Sequence, residues 1–294
     1  MPDAHEGDGI DEAIVGPVQS SDSGPVQTSD TDPVSPATSH LNLIVDLTEG
    51  ELIDLTEPDP ARPVSGRPLE LVDGHRVVTI TGGDLWMAAE AFVYDLYFPI
   101  GYCEPSPLRR VEELARWSDI SRFHAILNRE DVVIGTVRNI FGVYDELPVG
   151  QFQRTDHRDP DPVCELSSLT VHRTVRSTGV IEHLYRSAWL DAFRSGSSAV
   201  VALIDEWLFD LFRDVYRLPF AKIGIGAHYM GSDPFPVAMP LVGEAYLPVA
   251  RDNPEFWAWT LEAIAPEEIE AWGLPVYEGN SVRMSGRYAG RARR

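Results

Sequence analysis

The residues that decide the fold run Val163-Cys164-Glu165-Leu166-Ser167-Ser168-Leu169-Thr170-Val171, then His172-Arg173-Thr174-Val175-Arg176-Ser177-Thr178-Gly179, then Val180-Ile181-Glu182-His183-Leu184-Tyr185-Arg186-Ser187-Ala188-Trp189. The first run is β-prone, and in the last Val180, Ile181, Leu184, Tyr185, Ala188 and Trp189 recur at helical spacing. Between them lies a basic, Gly-containing turn. A turn that feeds a helix start presents unpaired backbone N–H groups and the positive end of the helix dipole, which together suit a phosphate or pyrophosphate. Arg173 and Arg176 add positive charge to it. Downstream, Ala199–Ile204 reads as a buried strand, Asp205 caps a helix to about Arg217, and Phe220–Ile225 is the next strand.

Upstream, Leu69–Val72 and Arg76–Ile80 flank Asp73-Gly74, a hairpin signal, and Asp84 caps a helix through Phe98. A weaker helix follows from Leu108 to about Trp117. Phe123–Leu127 and Val132–Arg138 form a second hairpin. Gly142–Pro162 is loop-rich and long enough to be a mobile substrate-side loop. Pro234–Val249 supplies a further strand pair, and short helices cover Asn253–Ala263 and Pro266–Trp272. Hairpins first and strand–helix units later argue an α/β (mixed α+β) domain, a twisted mixed sheet with helices on both faces.

Residues 1–64 differ from the rest. They carry fourteen acids against Arg62 alone, more than half of the chain's net charge of −22. Pro, Ser, Asp, Gly and Thr dominate to residue 40, a composition that cannot bury enough surface to offset ordering entropy, so we read 1–64 as a disordered acidic leader. Within it Leu43-Ile44-Val45-Asp46-Leu47-Thr48-Glu49 is echoed by Leu52-Ile53-Asp54-Leu55-Thr56-Glu57. These runs fit either a strap on the chain's own domain or a strand added to a protein partner's sheet edge, so residues 43–57 are a candidate partner contact. The folded domain is taken as 69–275 and the remainder, 276–294, as a basic flexible tail.

The acidic balance argues against a nucleic-acid partner. No run is long and apolar enough to span a membrane, and the N-terminus lacks a basic-then-apolar signal, so a soluble cytoplasmic protein is expected. Cys103 and Cys164 lie far apart and fit a reduced compartment. Asp156, His157, Asp159 and Asp161 lack paired His or Cys spacing and read as a solvated loop, so no metal site is assigned.

Val132–Tyr229 resembles the acyltransferase superfamily related to Gcn5 N-acetyltransferases (GNAT), and within it the N-acyl amino acid synthase and acyl-homoserine lactone (autoinducer) synthase branch. The family's phosphopantetheine turn is matched by Arg176-Ser177-Thr178-Gly179-Val180 but not by Ile181. Gly135-Thr136-Val137-Arg138, Glu165-Leu166-Ser167 and Tyr216–Gly224 give that match its context. The branch's strand pattern Glu, any, Ser, Arg is met by Glu165 and Ser167, while Ser168 stands where arginine is expected.

The resemblance implies a GNAT-like fold and an N-acyltransferase with no tightly bound cofactor. The donor would be an acyl-phosphopantetheine thioester, on an acyl carrier protein or on coenzyme A, and the acceptor the amine of an amino acid or related small molecule. Glu165 is the candidate base, with pairing to Arg138 as its purely structural reading. Tyr216 is the candidate acid for the thiolate, with packing as its alternative. Leu169 and Val171 would bond the pantetheine amides if the strands splay there, and Arg173, Arg176, Ser177, Thr178 and Gly179 would cradle the phosphates. Arg138, Ser167 and Asp119 are the acceptor-side candidates. Strand alternation puts Glu165, Ser167 and Leu169 on one face and Leu166, Ser168 and Thr170 on the other. An acetyl-CoA-dependent N-acetyltransferase and a catalytically silent binding module are the alternatives.

Overall fold

The computed structural model describes residues 71, 74–156, 161–175, 179–279 and 281–285. The acidic leader with its 43–57 repeat, the Leu69–Val72 half of the first expected hairpin save Leu71, and the donor-turn residues Arg176, Ser177 and Thr178 lie outside the described residues.

Seven strands form one sheet: β1 Arg76–Ile80, β2 Ser121–Leu127, β3 Val133–Val143, β4 Pro162–Val171, β5 Ala199–Ile204, β6 Ala221–Lys222 and β7 Phe235–Pro240, in the order β1-β2-β3-β4-β5-β7-β6. Every neighbouring pair is antiparallel except β4 and β5, which are parallel. The sheet is therefore mixed, as expected. Helix α1, Gly83–Tyr97, packs Ala89, Val93 and Tyr94 with Phe123, Ala125, Ile140 and Val201 on one face. Helix α2, Val180–Arg194, packs Ile181, Tyr185 and Trp189 with Cys164, Val200, Ala202 and Met239 on the other. Since Val200 and Val201 alternate between these two sets, the helices lie on opposite faces.

After β5 come α3, Glu206–Asp210, continuing as one π-turn over Leu211–Val215, then α4 Leu247–Asp252, α5 Pro254–Leu261 and α6 Pro266–Trp272. An aromatic clasp joins them to α2. Trp189 Nε1 donates to Tyr246 Oη at 2.8 Å, Tyr246 stacks on Trp257 at 5.5 Å between centroids, and Trp257 Nε1 donates to the Pro275 carbonyl at 2.8 Å. Each indole is buried with its polar atom satisfied, so the internal hydrogen bond offsets the loss of hydration.

Several boundaries differ from the sequence reading. Gly82, not Asp84, precedes the first turn of α1, and Asp84 lies inside that turn. The expected helix near Leu108 is a 3-10 helix over Glu112–Ile120. The strand at Phe220–Ile225 is reduced to Ala221–Lys222, and the expected pair over 234–249 is β7 alone, followed by a 3-10 turn and α4. The domain does not end at 275. Pro275–Glu278 (β8) and Ser281–Met284 (β9) form a hairpin whose first residue caps Trp257, so the start of the assigned tail belongs to the fold.

One correction bears on function. Across β3 and β4 the register runs Arg138↔Ser167 but Thr136↔Thr170, so Ser168 and Leu169 together oppose Val137. This is a β-bulge, and Ser168 takes the left-handed backbone conformation, φ 51°. Alternation is broken there: Leu169 packs toward the α2 side with Leu166, while Ser168 moves to the α1 side with Glu165. A β-branched residue tolerates positive φ poorly. Ser168→Val is expected to lower stability by about 1–3 kcal/mol in chemical denaturation, whereas Ser168→Gly, for which that backbone costs little, should stay within about 1 kcal/mol of the parent.

Candidate active site

β4 and β5 pair from Val163↔Ala199 to Leu166↔Ala202, and there the pairing stops although β4 continues to Val171 and β5 to Ile204. The strands part immediately before the bulge. A cavity of about 220 Å³ fills the opening and runs through the sheet from one face to the other. Its wall on the α2 side is apolar, with Leu166, Ile181, Tyr185, Phe212 and Phe220. On the α1 side the polar groups Tyr97, Glu165, Ser167, Ser168, Asp205 and Tyr229 lie among apolar Leu114, Leu203 and Met230.

Glu165 is 2% exposed, and its Oε2 accepts the Val149 N–H at 2.9 Å. Among the described residues no donor reaches its other oxygen. Burial pushes its pKa up to about 8, opposed by the Val149 N–H and by the charge of Arg138. It therefore changes charge near neutral pH, where a general base is most useful. Arg138 shares a face with Ser167, its partner across the strands, but its guanidinium donates to the Leu114 carbonyl at 3.1 Å and lies 5.4 Å from Trp86 and 5.5 Å from Phe123. It neither bonds Glu165 nor lines the cavity. Burial lowers its pKa to about 10.

The cavity phenols are held protonated. Burial raises Tyr97, whose hydroxyl is within bonding reach of Ser168. Burial, then the charge of Asp205, raises Tyr102. Burial, then the charge of Glu165, pushes Tyr229 up to about 12.

The structure brings together Glu165, Ser167, Leu169 and Val171 on the cavity wall. Tyr216 is placed elsewhere: it is buried against Tyr185 and Phe256, and its hydroxyl donates to Glu182 at 2.8 Å. Asp119 is exposed on the 3-10 helix and is not part of the wall. Arg173 is exposed just beyond β4, and Gly179 adopts φ 73° before the first turn of α2, a conformation glycine takes without strain. Sequence reasoning missed Tyr97, Tyr102, Ser232 and the cavity role of Asp205. For Asp205 a signal existed, because it follows the carboxyl end of β5, where open sheets place ligands. No group of His, Cys, Asp and Glu among the described residues could hold a metal, and no helix there is long and apolar enough to cross a membrane.

No protein-family model and no curated protein matches the chain. Solved structures do. A CoA-dependent acyl-homoserine lactone synthase, solved with MTA, superposes with a TM-score of 0.50 at 14% identity, covering 62% of this chain and 90% of that one. The fold is that of the GNAT-related acyltransferases. An N-acyl amino acid synthase from uncultured soil microbes also matches, with TM-score 0.45 and 17% identity over 64% of this chain and 96% of that one. At these identities the likeness is one of fold, and the GNAT-like sheet parts its two parallel strands where the cavity lies.

The raised pKa of Glu165 has a consequence for stability. Below its ordinary value of 4.5 the side chain is neutral folded or unfolded, and its contribution is fully present. As pH rises the unfolded chain ionises first while the folded one holds its proton to about 8, so stability is lost across that window and the loss is complete above it. Glu165→Gln is expected to melt at a higher temperature than the parent above pH 8, with the gap shrinking below pH 5, as followed by thermal denaturation.

Proposed function

We propose that this chain is an N-acyltransferase that moves an acyl group from a phosphopantetheine thioester to the amine of a small molecule, an amino acid or related compound. The observation that carries the reading is the parting of β4 and β5 after Leu166↔Ala202, with an apolar wall on one side of the opening and Glu165 on the other. A thioester needs such a two-sided slot. Its acyl chain takes the apolar side, its pantetheine amides bond the β4 backbone over Leu169–Val171, and its phosphates reach the turn from Arg173 through Arg176, Ser177 and Thr178 to Gly179, ahead of α2. The similar fold of a CoA-dependent acyl-homoserine lactone synthase supports this reading. The donor is an acyl carrier protein or coenzyme A.

The acceptor amine lies on the α1 side, beside Ser167. Its nitrogen lone pair attacks the thioester carbonyl carbon, a C–N bond forms, and the amine proton passes to Glu165. The C–S bond then breaks, and the departing thiolate takes a proton from a cavity phenol. Tyr229 is the phenol whose pKa responds to Glu165, so we assign it this role in place of Tyr216, which faces Glu182. Burial of the site strengthens every polar contact to the developing oxyanion.

The test is mass spectrometry of products formed from mixed acyl carrier protein and acyl-CoA donors with a pool of amines. N-acyl products are expected. Glu165→Gln should lower kcat by about 100-fold or more with the fold intact, the range usual for loss of a general base. Wild-type kcat/KM should rise with pH through about 8, since the carboxylate is the active form; a flat profile and an active Gln variant would remove Glu165 from the chemistry. Arg173→Glu should raise the donor KM several-fold, and unchanged donor kinetics would displace the phosphate cradle from this turn.

A further inference from the structure

The acceptor side of the cavity has an unusual charge pattern. Among the described residues of its wall the ionisable groups are Glu165, Asp205 and tyrosines, with no lysine, arginine or histidine. Glu165 is almost wholly buried, holds the Val149 N–H with one oxygen, and leaves the other without a described donor. Asp205 occupies the position ahead of α3 from which an aspartate ordinarily caps the helix, yet its side chain makes no capping hydrogen bond. It lies instead within reach of Ser232 and Trp207, both on the cavity wall.

The charge of Arg138 partly offsets Glu165, but its guanidinium lies off the wall, donating to the Leu114 carbonyl, and Arg116 is exposed and stacked 3.8 Å over Trp117. A free α-amino acid with its amine at Glu165 would put its own carboxylate close to that acid with no described cation on the wall itself, an arrangement that like-charge repulsion disfavours. A second positive charge would instead meet a carboxylate and the rings of Tyr97, Tyr102 and Tyr229, which line the same cavity. Spacing adds to this. Glu165 is in register with Val201, so Asp205, just past the end of β5, lies four residues farther on, roughly 13 Å at the rise of a strand.

We propose that the acceptor is a linear di- or polyamine without a carboxylate, its reacting amine at Glu165 and its distal ammonium held by Asp205. The assignment rests on the acyl-transfer reading and narrows its substrate class. Asp205 is a specificity residue and takes no part in the bond changes.

The experiment has two arms on the full chain. In the first, acylation rates are compared for diaminobutane, diaminoheptane, aminoheptane and alanine with one donor. Diaminoheptane should show the lowest KM, and Asp205→Asn should raise that KM at least 10-fold more than it raises the KM for aminoheptane. Preferred acylation of alanine, or an equal effect of Asp205→Asn on monoamine and diamine, overturns the proposal while leaving acyl transfer standing. In the second arm, calorimetry measures diaminoheptane binding without donor. Binding that Asp205→Asn abolishes supports the acceptor site even if no acceptor is acylated, in which case acyl transfer is what fails. Absence of binding together with absence of diamine acylation overturns the acceptor assignment.

Discussion

One extra residue in β4 governs the centre of this protein. The Ser168–Leu169 bulge opposite Val137 bends the strand away from β5 just after their last paired residues, Leu166 and Ala202. Hydrogen bonding normally holds parallel neighbours together along their length, and here it is given up for the final residues of both strands. The released edge, the cavity and the two unlike walls all follow from that loss. The same bulge brings Ser168 within reach of Tyr97 on the α1 side and turns Leu169 toward α2, so a single backbone irregularity exchanges a polar and an apolar side chain between the two sides of the cavity.

Much of this was legible in the sequence. The spacing of Val180, Ile181, Leu184, Tyr185, Ala188 and Trp189 identifies α2, the Phe123–Leu127 and Val132–Arg138 runs pair as expected with the second strand starting at Val133, and Glu165 and Ser167 do share a face. The bulge itself was not. Ser-Ser carries no glycine or proline to mark a left-handed residue, and a period-2 pattern has no term for a register shift. Leu169 and Ser168 were consequently assigned to the wrong faces. Arg138 misled for another reason: its place after Gly-Thr-Val is strand-like and close to the site, but the direction of a long side chain depends on Trp86, Phe123 and Leu114, which are distant in sequence. Tyr97 and Tyr102 share one local segment at the end of α1, and only the folded chain brings Tyr229 to them. The 275–284 hairpin escaped notice because it is short and its attachments, the Pro275 carbonyl to Trp257 and the Tyr277 hydroxyl to the Ala250 and Pro254 carbonyls, involve backbone groups that no side-chain pattern reveals.

The electrostatic design is similarly divided between local and assembled features. Glu165 alone in sequence is an ordinary acid. Its raised affinity for a proton comes from the closure of the sheet around it, first through lost hydration and only then through the partial compensation of the Val149 N–H and Arg138. Such a group destabilises the ionised fold, a pattern frequent where binding or catalysis requires a carboxyl that changes charge near neutrality.

At the opposite end of α2 from the cavity, Asp191 gathers three side chains from two strands. Arg122 meets its Oδ1 at 2.5 Å, while His124 and Asn139 meet its Oδ2 at 3.2 and 3.3 Å. An acid in the last turn of a helix opposes the dipole and would gain little there alone; burial also acts against its charge, but His124 and Arg122 together hold its pKa below the usual value. The helix is thus moored to β2 and β3 at its far end, in register and in rotation. Ile181 and Tyr185, one end of a rigid rod fixed at the other, inherit their placement from that mooring, so the shape of the apolar wall is set some three turns away from the wall itself.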